Sequence, residues 1–494
     1  MTTDSMATGI HGLDHLLEGG ILRGNSLLIE GPPGSGKSTL GVRILYEGAV
    51  RFGEPGLIIS FEEFPKQLYQ EAMNQGMDLQ ALEKANKLRV VWTPPARILE
   101  GFSGRDDLVD SIIGSMGVRR LLIDSITHFK RIRATEAELR EVLAKILASL
   151  KIKNVNALLV KEQERMDEQT IAFEEYLVDA SLRLHNVAPP SGGENTRLVE
   201  VRKTRGQGHI SGRHPFELDR KGIAVYPRLR PQDIEKAFPN GGAPERKRVV
   251  VGIPGLDTML KGGFWKGSLN LVVGVPGTGK SVIAYYFIDA GLRAGQPCLI
   301  LSVKNTPAEI LAHARSLGID WNGPHKSGQL RILHFHPTGL CVEKMLDHLL
   351  AAFLQTRPDR VIFDSIDDLW NAVEDEERVR DYVLVLAGLF RASHATSLLL
   401  NERRQMEGAR SGEVQDYSYL ASCVIQLNVA SVEGRVHRTV TVGKHAGSDH
   451  SNVQREFRID RSGFQVDGGR EAAAQPERSK PPDGAAPAGA APAA

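Results

Sequence analysis

The chain has 494 residues, which at about 150 residues per domain allows two to four domains. Its 41% hydrophobic and 24% charged composition is ordinary for a globular protein, and 61 basic against 60 acidic residues leave no electrostatic footprint for general nucleic-acid or membrane binding. Cys298, Cys341 and Cys423 form no CxxC pair, the amino-terminal MTTDSMATGIHGLD has no signal-peptide pattern, and no apolar run approaches the ~20 residues that span a bilayer, so a soluble cytoplasmic protein with reduced core thiols is expected.

In chain order, GIHGLDHLLEGG from Gly9 leads into NSLLIE at residues 25–30, a short run without polar alternation. Strands buried on both faces of a parallel sheet read this way. Gly31-Pro32-Pro33-Gly34-Ser35-Gly36-Lys37-Ser38 follows and fits GxxxxGK[ST]; with Thr39 these residues are expected to bind nucleotide, at the head of a helical stretch over 38–52. Glycines let successive backbone N–H groups turn toward phosphate oxygens, and the helix dipole adds positive potential. Lys37 would reach the terminal phosphates of ATP, and the Ser38 hydroxyl would ligate Mg²⁺. The next apolar run, LIISF at 57–61, runs into Glu62 and Glu63. A carboxylate beyond that strand can take the proton of a water attacking the γ-phosphate. RRLLIDS puts Asp124 at a strand tip, where it would hold the Mg²⁺ hydration shell in the Walker B role. NALLV at 156–160 reads as a further strand, and the alternation of strands with helices predicts an α/β domain with a mostly parallel sheet. Lys203-Thr204-Arg205-Gly206 and His209 come near its end. A basic residue pointing away from its own phosphate loop can serve a neighbouring subunit's nucleotide in trans.

The whole pattern then repeats. Thirty positions from Gly9 match thirty from Gly252 without a gap, 243 residues apart, and downstream matches stay at offsets of 240 to 242. One duplicated domain, residues 1–227 and 249–466, is therefore expected, joined by a Pro-, Gly- and charge-rich linker at 228–248. The Ala/Pro/Gly-rich tail at 467–494 is expected to be disordered. The second copy carries Gly274-Val275-Pro276-Gly277-Thr278-Gly279-Lys280-Ser281 followed by Val282, and Asp364 at the matching strand tip. Two positions change character. Lys304 and Asn305 stand where Glu62 and Glu63 stand, and neither accepts a proton at neutral pH. Lys444-His445-Ala446-Gly447, with His450, replaces the Lys203–Gly206 stretch and loses its arginine. The first copy thus looks built for hydrolysis and the second does not.

The motifs GIxGLDxxLxGG ahead of each loop, SFEE, LLIDS, and KTRGQGH followed by HPFELDRKGI make residues 7 to 466 resemble the KaiC circadian-clock family of tandem RecA-like ATPases. The resemblance implies double-ring hexamers with ATP at subunit interfaces. It places Lys37, Ser38 and Asp124 on ATP and Mg²⁺, makes Glu62 and Glu63 the catalytic pair, and has Lys203, Arg205 and His209 reach the γ-phosphate across the interface. In the second copy Lys280, Ser281, Asp364, Lys444 and His450 match, whereas Lys304, Asn305 and Ala446 do not. The family's second domain is a Ser/Thr autokinase acting on a neighbouring Ser–Thr pair. Tyr417-Ser418-Tyr419-Leu420 puts Ser418 at the serine and a tyrosine in place of the threonine, so an autokinase acting on Ser418 is the alternative reading. A DNA recombinase of RecA or RadA type shares the loop and the GLD motif, but the duplication and near-zero charge argue against it. A non-catalytic, ATP-sensing scaffold for signalling proteins is a further reading.

Overall fold

The computed structural model describes residues 4–101, 108–131, 135–163, 173–188, 195–220, 222–239, 246–373, 376–402, 417–432, 435–460 and 463–471. The chain divides into two compact units, Met1–Ala237 with Thr338–Leu354, and Phe238–Pro337 with Gln355–Ala494. In the first, Leu88–Trp92, Gly56–Ser60, Arg120–Asp124, Asn156–Glu162, Ser26–Gly31 and Ala180–Val187 lie side by side in that order and run parallel. Thr196–Thr204, Arg213–Asp219 and Gly222–Val225 extend the sheet antiparallel. The second sheet repeats the order with Leu330–His334, Cys298–Ser302, Arg360–Asp364, Thr396–Glu402, Leu269–Gly274 and Cys423–Val432, then Arg435–His445, Arg455–Asp460 and Gly463–Glu471. These are two mostly parallel sheets flanked by helices, the tandem RecA-like architecture that the alternating pattern predicts.

Apolar runs without alternation work here because each strand feeds two cores. Leu27, Ile29 and Leu122 pack with the helix Lys37–Arg51 on one face of the first sheet. Leu28, Leu121 and Ile123 point to the other face, against Leu139, Leu143 and Ile146 of the helix Glu136–Ile152. The GLD motif proves structural: the Asp14 carboxylate accepts the Thr8 and Gly9 amides at 2.6 and 3.1 Å, and Asp257 accepts those of Val251 and Gly252 at 2.7 and 3.1 Å. All three cysteines are free thiols, with Cys298 and Cys423 buried.

The expected boundaries shift. Part of the 228–248 stretch folds as the helix Pro231–Ala237, because proline suits a first helical turn and Asp233 accepts the Arg230 N–H at 3.0 Å while Ile234 is buried. The last strand runs to Glu471, past 466, because its residues pair with Arg455–Asp460. Residues 240–245 of the linker and 472–494 of the tail lie outside the described residues.

A buried arginine opens each Asp-bearing strand. Arg120 donates to the Ile44 and Ala7 carbonyls at 2.8 and 2.9 Å and to Glu54; Arg360 donates to Phe287 and Val250 at 2.7 and 2.8 Å. Gly48 makes room for this guanidinium, since a Cβ there would sit 2.5 Å from Arg120 Nε. Helix propensity alone would favour alanine by about 1 kcal/mol, but overpacking a fully buried, hydrogen-bonded group costs about 1–3 kcal/mol. Gly48→Ala is therefore expected to lower resistance to urea; an unchanged or raised midpoint would contradict the packing argument.

Candidate functional site

Each phosphate loop joins a central parallel strand to a helix. The strand Ser26–Gly31 ends at the first glycine, and Pro32, Pro33, Gly34, Ser35 and Gly36 lead into the helix that begins Lys37-Ser38-Thr39. Gly34 and Gly36 have φ of 72° and 94°, as Gly277 and Gly279 have 78° and 102°, a region in which only glycine is unstrained. In the second unit Gly274, Val275, Pro276, Gly277, Thr278 and Gly279 lead into Lys280-Ser281-Val282. Neither Gly36 nor Gly279 caps its helix through a side chain, which leaves the first-turn amides without a side-chain acceptor, as an anion site at a helix N-terminus requires.

Lys37 and Lys280 are buried and fold back over their loops. Lys37 donates to Pro32 O at 2.9 Å, and Lys280 to Gly274 O and Val275 O at 2.9 and 3.2 Å. Burial pushes both ammonium pKa values down. Glu162 and Asp124 oppose the shift at Lys37; Glu402, Asp367 and Asp364 oppose it at Lys280, where Lys304 deepens it. At the tip of the next strand but one in each sheet, Asp124 bonds the Ser38 hydroxyl, and Ser281 Oγ donates to Asp364 Oδ2 at 3.1 Å. Burial holds both aspartates above the usual carboxylate range. The peptide bond after each is cis. Uncapped amides, a buried ammonium and a hydroxyl bonded to a carboxylate are the donors that suit a nucleotide triphosphate and Mg²⁺.

The two units share the next turn but not its chemistry. Phe61 N donates to Asp124 O at 3.1 Å and Glu63 N to Ser60 Oγ at 3.1 Å; in the second unit Val303 N meets Asp364 O at 3.3 Å and Asn305 N meets Ser302 Oγ at 3.0 Å. From this turn Glu62 reaches His128 Nε2 at 2.9 Å. Burial raises the Glu63 pKa, and the carboxylates of Glu71, Asp124 and Glu62 add to the shift.

Two further carboxylates flank the phosphate loops and are missing from the motif reading. Strand pairing sets Glu162 opposite Gly31 and Glu402 opposite Gly274, and Glu402 lies 3.9 Å from Lys280. The constant 240-residue offset joins them as it joins the two strand-tip aspartates, a signal present in the sequence. Beside them, Thr127 Oγ1 accepts the Glu162 amide at 2.9 Å, whereas Asp367 Oδ2 accepts that of Glu402. Burial, with Glu402 nearby, pushes Asp367 up from 3.8 to about 6. An acid raised in this way favours folding below its unfolded pKa and loses that contribution as pH rises through about 6. Asp367→Asn is thus expected to stabilise the nucleotide-free protein by about 1–2 kcal/mol at pH 8, after allowance for partial exposure. The gain should shrink toward pH 5 in paired unfolding curves; a pH-independent difference would rule the ionisation out as its cause.

Lys203, Arg205 and His209 lie elsewhere. Thr204 pairs with Ala180, and Ala180 with Leu27, which puts this end of the strand Thr196–Thr204 at the edge where the parallel strands begin, opposite the edge that carries Gly31. The intervening four residues span about 13 Å. There Lys203 donates to Glu175 O and Val178 O at 2.7 and 2.8 Å, Arg205 to Tyr176 O at 2.8 Å, and His209 meets Thr204 Oγ1 at 2.9 Å. In the second unit Lys444 donates to Ser418 O at 3.0 Å, His450 approaches Ser448 O at 3.5 Å, and Ala446 has no polar side chain to offer. Ser418 is partly exposed in the single turn Tyr417–Tyr419. The structure therefore gathers loop, aspartate and Glu62–Glu63 at one edge and keeps the Lys203 group from its own loop.

Among the described residues, no helix is long and apolar enough to cross a membrane. The family described as ATPase: KaiC matches residues 6–230 and again 249–471. The chain is 29% identical over 471 residues to the circadian clock oscillator protein KaiC of Parathermosynechococcus lividus, covering 93% of this chain and 84% of that one. It is 29% identical over 477 residues to the KaiC of Prochlorococcus marinus, with 94% and 93% covered, and 28% identical over 470 residues to that of Thermostichus vulcanus, with 93% and 88% covered.

Proposed function

The chain belongs to the KaiC family of ATPases, and from that premise we propose that its first domain hydrolyses ATP while its second binds ATP mainly for ring assembly or signalling. The asymmetry at the strand tips carries this reading: Glu62 and Glu63 leave the turn beside Asp124, and Lys304 and Asn305 leave the same turn beside Asp364. A carboxylate takes the proton of water as it attacks the γ-phosphorus; an ammonium and a carboxamide do not. Lys37 and the loop amides hold the triphosphate oxygens and offset the charge that moves toward the leaving diphosphate. Ser38 and Asp124, with Ser281 and Asp364 in the second domain, would hold Mg²⁺, which would supply charge neutralisation for the phosphate oxygens.

Lys203, Arg205 and His209, set at the far edge of their sheet, are assigned to the nucleotide of a neighbouring copy, with Arg205 as its arginine finger. Lys444 and His450 take the corresponding places in the second domain. The assembly is a homo-oligomeric ring, six-membered by family resemblance, and cytoplasmic. Its relatives' names extend the proposal to a timing output read by signalling proteins. Autophosphorylation at Ser418 is the weaker reading, since the second site offers Lys304 where a base for the serine proton is needed. Size-exclusion light scattering with ATP, with ADP and without nucleotide tests the proposal, with phosphate release followed on the same samples. ATP-dependent growth in mass together with turnover is the expected result. A single small species releasing no phosphate would overturn it.

A further inference from the structure

We propose that Lys304 is a phosphate ligand of the second domain, donating from the turn after the strand Cys298–Ser302 to the terminal phosphate, so that this site retains ATP rather than cleaving it. The inference rests on the second loop being a nucleotide site and names what makes that site a holding one. Three observations support it. The turn that carries Lys304 is fixed at both sides as in the first domain, by Val303 N to Asp364 O and by Asn305 N to Ser302 Oγ, so Lys304 leaves the backbone where Glu62 does. Its ammonium is exposed and makes no ion pair or hydrogen bond among the described residues, and it lies near enough to Lys280 to add to the lowering that burial imposes there. Lys304 thus adds a second cation beside a loop whose lysine also has Glu402, Asp367 and Asp364 near it, whereas among the described residues Lys37 is influenced by the carboxylates Glu162 and Asp124 alone. Lastly, the position of Arg205 has become Ala446, so the second copy lost one cation on the far edge and gained one at the loop. Lys280 has Glu402 3.9 Å away, but Lys304 has no counter-ion among the described residues, and the terminal phosphate of a bound nucleotide supplies one.

The test uses the full chain with Lys37→Ala, so that binding reports the second site, and the probes are radiolabelled ATP and ADP in the presence of Mg²⁺. Lys304→Ala is expected to weaken ATP binding by about tenfold and Lys304→Glu by about a hundredfold. ADP binding should change less than threefold, because the contact is to the terminal phosphate, and Lys304→Arg should restore ATP binding. Circular dichroism confirms that each variant is folded; Lys304 is exposed and its replacement removes no packing. If Lys304→Ala and Lys304→Glu bind ATP like the parent, while Lys280→Ala abolishes binding, the role of Lys304 is refuted and the nucleotide site stands. If Lys280→Ala changes nothing either, the second loop is no nucleotide site and both readings fail. Equal losses for ATP and ADP would also overturn the proposal, since they would place Lys304 away from the terminal phosphate.

Discussion

Replacing Glu62 and Glu63 together by glutamine lowers steady-state ATP turnover by about 10²–10⁴-fold and leaves ATP binding in place. Glutamine keeps the size and polarity of each side chain, so the turn held by Ser60 and Asp124 is undisturbed, but a carboxamide takes no proton. The two residues are not equivalent. Glu62 is mostly exposed and paired with His128, whereas Glu63 is held above the usual carboxylate range by burial and by three neighbouring carboxylates. A base poised nearer neutrality is the better acceptor, so Glu63→Gln alone should account for most of the loss. The sign of the shift also fixes the pH dependence: a raised Glu63 is protonated earlier as pH falls, so the acid limb of the rate profile should lie above the ordinary glutamate range. Phosphate release and nucleotide binding measured on the same variants check both points, and unchanged turnover in the double variant would remove the pair from catalysis.

Lys37→Ala and Lys280→Ala should separate the two domains. Removing the Lys37 ammonium takes away the side-chain cation that folds over the first loop, and a drop in turnover of 10²-fold or more is expected. Lys280→Ala should stop ATP at the second loop from driving assembly, and because Arg205 serves a neighbouring copy, turnover per chain should stay within about threefold of the parent only at chain concentrations that keep the copies associated. Both lysines are buried at a cost that lowers their pKa, so alanine removes an unfavourable charge and neither variant should unfold. Light scattering and phosphate release on the two variants give the answer; equal losses of turnover with the copies still associated would mean that the second domain cleaves ATP as fast as the first.

Much of this arrangement is legible in the sequence because it depends on local chemistry. Strand, glycine loop, lysine and helix are contiguous, so Gly31–Ser38 and Gly274–Ser281 announce their own geometry, and the doubly buried strands follow from uninterrupted apolar runs. What escaped depends on strand order. Glu162 and Glu402 meet the phosphate loops only because strands more than a hundred residues apart pair side by side, and no local motif marks a residue for that. The exchange of Thr127 for Asp367 escaped for the same reason, since both are read through a backbone amide on the adjacent strand. The helix Pro231–Ala237 was hidden by composition: a stretch rich in proline and charge reads as a linker, although Asp233 and Ile234 give it a cap and a buried face.

Arg205 stands at the edge of its sheet opposite the loop it resembles a partner for. If it acts on a neighbour, each first domain is polar, with a giving end and a receiving end made of unlike residues. A twofold pair cannot satisfy both ends, because matching like with like leaves every site half built. Only a head-to-tail series uses all of them, and unless it closes on itself its two terminal members each keep one unfinished site. The angle from one copy to the next would then decide how many copies close the circle.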